Sequence, residues 1–277
     1  TSSPRTLEIE FDNGETKTVD LSANEQRSFL VSDLFEGQPQ DGIHAAFISD
    51  ANGIVGLELF NEADSKMSGI LLNGETSNEI YYPHIANKGG WATGIVAYNP
   101  SNMSCAMIIT PYDDEGNQYK TKRVVIEGKE KFIGLVSDLE IPEETAWVKI
   151  WSTEPITGFE LFAKNELLAG YTGVGISRKE GVFPKLDEDG ATGIAFVNLG
   201  SSIAGILLTA YDDSGNAITT ETIELASNAK VVALAPNLFN QDISSATYIT
   251  FSSDMDVVVF QLNGSSDGMM LDALPGM

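Results

Sequence analysis

The sequence is poor in several residue types, and each scarcity excludes a class of protein. Its 277 residues contain one cysteine, two histidines and 16 Lys or Arg against 40 Asp or Glu, which gives a formal net charge of -24. A single cysteine cannot form an internal disulfide. The excess of negative charge repels phosphate backbones and anionic lipid headgroups. We therefore expect no nucleic-acid partner.

Long hydrophobic runs are also missing. No apolar stretch reaches membrane-spanning length, so we expect no membrane insertion. The first residues lack the charged and hydrophobic segments of a signal peptide, and we expect either a mature secreted form or an excised fragment. With 42% hydrophobic and 20% charged residues, the chain is typical of a globular protein with two or three compact cores.

What the sequence does contain is internal repetition. The repeated segments are TGIVAYNP at 93–100 and TGIAFVNL at 192–199, PYDDEGN at 111–117 and AYDDSGN at 210–216, LVSDLF at 30–35 with relatives at 135–140 and 234–239, and GLELF at 56–60 with GFELF at 158–162. A period near one hundred residues matches a small domain and exceeds one turn of a solenoid. We therefore predict three tandem modules, at residues 1–90, 91–190 and 191–277.

Each full module has the pattern of an all-β domain. Short runs of β-branched and aromatic residues alternate with Gly- and Asn-containing turns, which are typical of antiparallel hairpins. We predict about seven strands per full module, arranged as an immunoglobulin-like sandwich of two antiparallel sheets. The first module lacks a counterpart of residues 93–100. Either a strand precedes residue 1 in the parent protein, or another segment of this chain or of a second molecule supplies it, and we expect such a borrowed strand.

The repeated segments also carry a resemblance. The runs at 91–100, 158–162 and 210–215 together resemble a repeated immunoglobulin-like β-sandwich module of secreted bacterial proteins with no assigned activity. The likeness covers almost the whole chain, although the third module has Ala191 where the second has Trp91. It implies a non-catalytic extracellular module. We predict a structural or adhesive role for it, secreted or at the cell surface, with other modules of the parent protein or cell-surface components as its partners.

Residues suited to catalysis are few. His44 and His84 stand at unrelated positions of the repeat, and the sequence has no nucleophile elbow, zinc-binding helix motif or glycine-rich phosphate loop. Glu58, Glu160 and Gln261 occupy corresponding positions, but in separate modules, so they do not imply the carboxylate pair of a glycosidase. We predict that the protein is not an enzyme and needs no cofactor.

Two acidic runs, at 113–116 and 187–190, carry oxygen ligands that calcium accepts. Neither has the alternating acidic loop and distant glutamate of a dedicated calcium site. Tight turns use the same residues for backbone reasons, so we interpret both as turns. Weakly bound calcium is the alternative, and no residue is predicted as a metal ligand.

The strongest indication of a binding surface is an aromatic strand face. In residues 147–151, WVKIW, alternation places Val148 and Ile150 on one side and the two tryptophans with Lys149 on the other. If a hairpin follows, Phe159 and Leu161 point inward on its second strand. Glu160 and Phe162 then lie on the same outer side as the two tryptophans. The predicted ligand-binding face consists of Trp147, Lys149, Trp151, Glu160, Phe162 and, in the third module, Tyr248. We expect a neighbouring module to cover these rings, as is common in tandem arrays. The alternative is that the face is exposed, in which case it suits a sugar ring and the chain is a carbohydrate-binding module for glycans.

Overall fold

The computed structural model describes residues 2–43, 45–62, 66–72, 74–187, 191–267 and 270–275. Within these ranges the regular structure is antiparallel β-strand, apart from two short 3-10 segments at Val31–Phe35 and Ala235–Leu238. The prediction of an all-β antiparallel protein is therefore confirmed.

The first unit is the smallest. Its strands are β1 (Arg5–Phe11), β2 (Thr16–Leu21), β3 (Ala46–Ser49), β4 (Leu57–Glu62) and β5 (Lys66–Leu71). The first three form a sheet in the order β2–β1–β3, whereas β4 and β5 pair with each other as a separate two-stranded sheet. This unit is thus divided between two small sheets.

The second unit is a seven-stranded sheet. Its strands are β6 (Ser77–Tyr82), β7 (Ala92–Tyr98), β8 (Cys105–Tyr112), β9 (Lys122–Ile126), β10 (Lys131–Leu135), β11 (Trp147–Lys164) and β12 (Leu167–Thr172). Their order is β10–β7–β11–β8–β9, and β6 and β12 also pair with β11. The first half of β11 pairs with β6 and β8 and its second half with β7 and β12, so one long strand connects both parts of the sheet.

The third unit has the same layout. Its strands are β13 (Arg178–Phe183), β14 (Ala191–Asn198), β15 (Ala204–Tyr211), β16 (Ala217–Leu225), β17 (Lys230–Leu234), β18 (Tyr248–Gly264) and β19 (Leu271–Pro275). The order is β17–β14–β18–β15–β16, with β13 and β19 also on β18, so each strand matches a strand of the second unit. Both sheets are curled into half-barrels. β6 lies before the expected boundary at residue 90, and β13 lies before the one at residue 190. Each nevertheless pairs with the long strand that follows its boundary, β6 with β11 and β13 with β18.

A buried asparagine occupies the same place in both large units. The side-chain amide of Asn99 donates to the carbonyl oxygens of Met103, Ile126 and Glu127 at 2.7, 3.2 and 3.1 Å. That of Asn198 donates to the carbonyl oxygens of Ser202, Leu225 and Ala226 at 2.7, 2.9 and 3.1 Å. Both residues are fully buried, so the repeated Asn of the sequence closes a repeated turn.

The cores differ greatly in size. Among the described residues, the buried apolar cluster centred on the second unit has nineteen members and that of the third unit nineteen, whereas the cluster of the first unit has four, Ile9, Phe11, Val19 and Phe35. Phe260 and Ala195 of the third unit belong to the cluster of the second. The second and third units therefore share buried surface.

No described segment of this chain supplies the strand expected for the first unit. β4 pairs with β5 alone among the described residues, and no later described strand joins either sheet of this unit. The supply of that strand from elsewhere stays a prediction.

Candidate functional site

The predicted binding face follows one continuous strand. The sequence argument placed a hairpin after Ser152, but β11 continues through residues 152–157 to Lys164. Since side chains alternate along an unbroken strand, the even-numbered residues that begin with Val148 and Ile150 stay on the inner side. Phe159 and Leu161 are consequently only partly buried, and their even-numbered neighbours lie inside.

Glu160 and Phe162 are buried, so the expectation that they face solvent is wrong. Both are 0% exposed. Phe162 packs edge-on against His84, Trp91 and Phe260, with ring centroids 6.0, 6.4 and 5.9 Å away. It is therefore part of the contact between the second and third units.

Glu160 is an unusual buried group. Neither of its carboxylate oxygens has a hydrogen-bond partner among the described residues. Burial raises the pKa of Glu160 well above its ordinary value of 4.5, against a smaller opposing effect of Lys230. The carboxyl group is therefore held as a neutral acid. Gln261, also fully buried, takes the corresponding position in the third unit.

Trp147 is covered by the third unit, so its predicted exposure is also wrong. Its side chain is 1% exposed, and its ring stacks on Tyr112 with centroids 4.2 Å apart and planes 6° from parallel. The indole Nε1 donates to the carbonyl oxygen of Asn228, 2.9 Å away in the third unit. Trp147 and Tyr112 cluster there with Val197 of β14. Alternation does place Trp147 opposite Val148, but a neighbouring unit fills the space outside it.

The same joint depends on close backbone contact. Gly116 has a positive φ of 86°, and a Cβ built on it would lie 2.6 Å from the carbonyl oxygen of Ser227 and 2.7 Å from the backbone nitrogen of Ala229. Next to it, the backbone N–H of Lys230 donates to the carbonyl oxygen of Asp114 at 2.9 Å. The glycine at this turn allows the two units to touch.

Lys149 and Trp151 remain at the surface, as predicted. Trp151 is 43% exposed. The Lys149 ammonium lies 2.6 Å from a carboxylate oxygen of Glu79, and the Tyr81 hydroxyl donates to the other at 2.7 Å. The hydrogen bond from Lys149 lowers the pKa of Glu79, whereas burial and then Glu79 itself raise that of Tyr81. Trp151 is exposed and the other three side chains are partly exposed. Together they form an aromatic and charged surface patch, which we call the Trp151 patch.

Tyr248 lies in the counterpart of the Trp147 position. Its ring stacks on Tyr211 with centroids 5.0 Å apart and planes 5° from parallel, as Trp147 stacks on Tyr112. Both tyrosines are partly buried. The structure thus divides the six predicted residues among a buried joint, a core and two separate surfaces.

Sequence reasoning did not predict a buried lysine at the joint. The Lys230 ammonium donates to Nδ1 of His84 at 3.0 Å and to the carbonyl oxygen of Ala146 at 2.8 Å. Burial lowers the pKa of Lys230 to about 8, although Asp114 and Glu160 oppose the shift. Burial, and then the charge of Lys230, lower the pKa of His84 well below its ordinary value, so the imidazole is neutral and accepts.

A cleft of about 330 Å³ opens at this lysine between the second and third units. Trp91, Phe162 and Leu262 are among its apolar lining residues, and Asp114, Glu143 and Glu144 among its acidic ones. The Lys230 ammonium in this cleft is hydrogen-bonded to His84 and Ala146. Among the described residues, no group of three potential metal-ligating side chains occurs. The cleft therefore offers apolar surface and negative charge around the Lys230–His84 pair.

The acidic turns act through their own backbone. The Asp113 carboxylate accepts from the backbone N–H and the side-chain amide of Asn117, at 2.8 and 2.9 Å, and Asp212 accepts from Asn216 in the same way. The second acidic run, at 187–190, lies largely outside the described residues. The hydrogen bonds of Asp113 are those of the predicted turn.

Comparisons with known proteins add little. No protein-family model and no curated protein matches the chain. Among solved structures, it is similar to an FMN-binding beta-glucuronidase from Facaelibacterium prausnitzii L2-6, with 8% identity and a TM-score of 0.18, over 99% of this chain and 39% of that one. It is also similar to a putative beta-galactosidase from Bacteroides fragilis, with 10% identity and a TM-score of 0.15, over 99% of this chain and 41% of that one. The chain spans about two fifths of either protein, and likenesses this weak carry no argument. In the part of the chain that the structure describes, no helix is long and apolar enough to cross a membrane.

Proposed function

We propose that the chain is a non-catalytic structural or adhesive segment of a secreted or cell-surface protein, built from tandem immunoglobulin-like β-sandwich modules. Support for the repeat comes from the shared strand order of the second and third units and from the paired asparagines Asn99 and Asn198. Its partners are other modules of the parent protein or cell-surface components.

The observation that carries the proposal is the joint around Trp147. The largest aromatic side chain of the predicted binding face is stacked, hydrogen-bonded and covered by the next unit. A ligand cannot reach it without separation of the units. Burial of this kind makes two units behave as one rigid body, which suits a scaffold that holds its parts at a fixed angle.

The joint can be tested with two glycines at corresponding turns. Gly116 and Gly215 both have positive φ, 86° and 80°, so alanine strains the backbone equally at either position. Only at Gly116 does the new Cβ meet the backbone of the next unit; at Gly215 the nearest atom is the Tyr248 hydroxyl at 3.9 Å. Calorimetry of the wild type should show the second and third units unfolding in one transition.

Gly116→Ala should split that transition into two, whereas Gly215→Ala should leave it single with a slightly lower Tm. Two separate transitions in the wild type, or the same response to both substitutions, would contradict a rigid joint.

A second candidate function is carbohydrate binding at the Trp151 patch. The observation in its favour is that Trp151 remains 43% exposed beside the Glu79–Lys149 ion pair and Tyr81. A half-exposed indole flanked by charged groups can stack on a sugar ring while the charged groups bind its hydroxyls. A glycan array tests it: a ligand bound by the wild type and lost in Trp151→Ala supports this function, and a ligand that binds both equally excludes this patch.

A further inference from the structure

Lys230 lines the cleft between the second and third units with one position of its side-chain nitrogen unused. Two positions around Nζ are fixed by the hydrogen bonds to Nδ1 of His84 and to the carbonyl oxygen of Ala146. An ammonium carries three N–H groups, and the structure shows no third acceptor for this one among the described residues. When the nitrogen is neutral, its two N–H groups remain on these acceptors and its lone pair takes the third position. A molecule in the cleft therefore meets a free N–H or a free lone pair of Lys230.

The surroundings of this amine increase its neutral fraction. Burial lowers the pKa of Lys230 to about 8, and the charges of Asp114 and Glu160 oppose that effect without cancelling it. At pH 7 roughly a tenth of the lysine carries a lone pair, which is about three hundred times the fraction expected for a pKa of 10.5. A lysine desolvated in an apolar site is a nucleophile toward carbonyl carbon.

The cleft accommodates a flat, uncharged molecule beside this nitrogen. Its volume of about 330 Å³ is in the range of small-molecule sites, and Trp91, Phe162 and Leu262 supply apolar walls. Three acidic residues line the cleft against two lysines, Lys88 and Lys230, so an anionic ligand is disfavoured.

A second unused polar group lies in the same cleft. Thr145 is among the lining residues, and its buried hydroxyl has no hydrogen-bond partner among the described residues. The next residue, Ala146, holds the Lys230 nitrogen through its carbonyl oxygen. A carbonyl compound bound here can place its carbon at the Lys230 nitrogen and accept a hydrogen bond from the Thr145 hydroxyl on its oxygen.

We propose that Lys230 is a covalent attachment site, where its side-chain nitrogen forms an imine with a neutral aromatic aldehyde bound in the cleft. The lone pair attacks the carbonyl carbon, a C–N bond forms, and the oxygen takes up a proton to give a carbinolamine. The two hydrogens of the amine and the carbonyl oxygen then leave as one molecule of water, and the C=N bond remains. The step needs no oxidant and no reductant.

The product keeps the polar groups of the joint satisfied. A protonated imine has a single N–H, which can remain on Nδ1 of His84. The carbonyl oxygen of Ala146 loses its lysine donor but keeps the backbone N–H of Ile85, 2.9 Å away. The charge of Asp114, which favours the Lys230 cation, favours the cationic imine in the same way.

The test uses the full chain, benzaldehyde as the probe and sodium cyanoborohydride, which traps an imine as a stable secondary amine. Peptide mass spectrometry gives the labelling rate at each lysine. Near neutral pH, Lys230 should be labelled at least about tenfold faster than the exposed Lys120, because it combines a large neutral fraction with a bound aldehyde. Lys131 begins β10 as Lys230 begins β17 but does not line the cleft, so it should not share this rate. The rate at Lys230 should reach half of its maximum near pH 8.

Two matched comparisons test the cleft itself, with the ratio of the Lys230 rate to the Lys120 rate as the readout. The anionic para-carboxybenzaldehyde has the same ring, and its ratio should be about tenfold lower. Trp91→Ala removes an apolar wall at a position where the third unit has Ala191, and it should lower the benzaldehyde ratio about tenfold. Trp151→Ala, which lies outside the cleft, should leave the ratio unchanged.

A Lys230 rate no higher than that of Lys120 would overturn the proposal. The same selectivity in concentrated urea, or for both aldehydes, would also overturn it, as would equal losses in Trp91→Ala and Trp151→Ala. Calorimetry of the joint uses the unmodified protein, so failure here is separable from failure of the scaffold.

Discussion

Replacement of Trp147 by alanine tests the joint quantitatively. The side chain is 1% exposed, so its truncation should cost about 3–5 kcal/mol, as for other buried large aromatic residues. That figure includes the stack on Tyr112, about 0.5–1.5 kcal/mol, and the hydrogen bond to Asn228, about 1 kcal/mol. Because Trp147→Phe keeps an aromatic ring and loses the Nε1 donor, it should cost about 1–2 kcal/mol.

The matched control is Trp151→Ala on the same strand. Trp151 is 43% exposed, so its loss should cost about 1 kcal/mol or less. Urea unfolding followed by far-UV circular dichroism measures all three variants without relying on the tryptophan signal. Equal destabilisation by Trp147→Ala and Trp151→Ala would refute the argument that the third unit, and not the strand alone, fixes the environment of Trp147.

Further predictions concern the buried polar groups, each checked by urea unfolding of variant and wild type. Because the pKa of Glu160 is raised, the folded state keeps a proton that the unfolded state loses above pH 4.5. The free energy of unfolding therefore falls as the pH rises above that value. Glu160→Gln should remove this decline. Lys230 has a pKa of about 8 in the folded state and 10.5 in the unfolded state. Its contribution to stability therefore rises by roughly 3 kcal/mol as the pH increases from about 8 to 10.5. Lys230→Met should abolish that rise. Asn198→Ala should cost roughly 3 kcal/mol because it leaves buried carbonyl oxygens of the turn without a donor. An unchanged pH profile in either charge variant, or a loss under 1 kcal/mol in the third, would contradict the corresponding argument.

The fold class was predictable because it depends on local chemistry. Alternating apolar residues and Gly-containing turns act over a few residues, and the turn of Asp212 and Asn216 forms as its sequence indicates. The buried asparagines could also have been predicted, since Asn99 and Asn198 close the repeated TGI segments. An amide in an otherwise apolar repeat generally has a specific hydrogen-bonding role.

The strand that follows Trp151 was predicted wrongly, although the sequence held a warning. A hairpin near residue 155 requires a turn that tolerates positive φ, usually Gly or Asn, and residues 152–157 are STEPIT. Without such a turn the strand continues, and alternation then places Glu160 and Phe162 inside. The assumed hairpin reversed the assignment of every residue beyond it.

The burial of Trp147 could not have been read from its own strand, because a neighbour determines it. Trp147 with Tyr112, and Tyr248 with Tyr211, form the same parallel stack at the same place in two sheets. The first stack is covered by the turn of the next unit at Asn228, and the second is only partly buried. Alternation tells which side of a sheet a residue occupies, but it does not tell whether that side meets water or another unit. In a chain of repeated units, equivalent positions therefore lie in a joint or at the surface, depending on whether another unit packs beside them. An exposed aromatic pair is evidence of ligand binding only when the equivalent pair in the other unit is known to be covered.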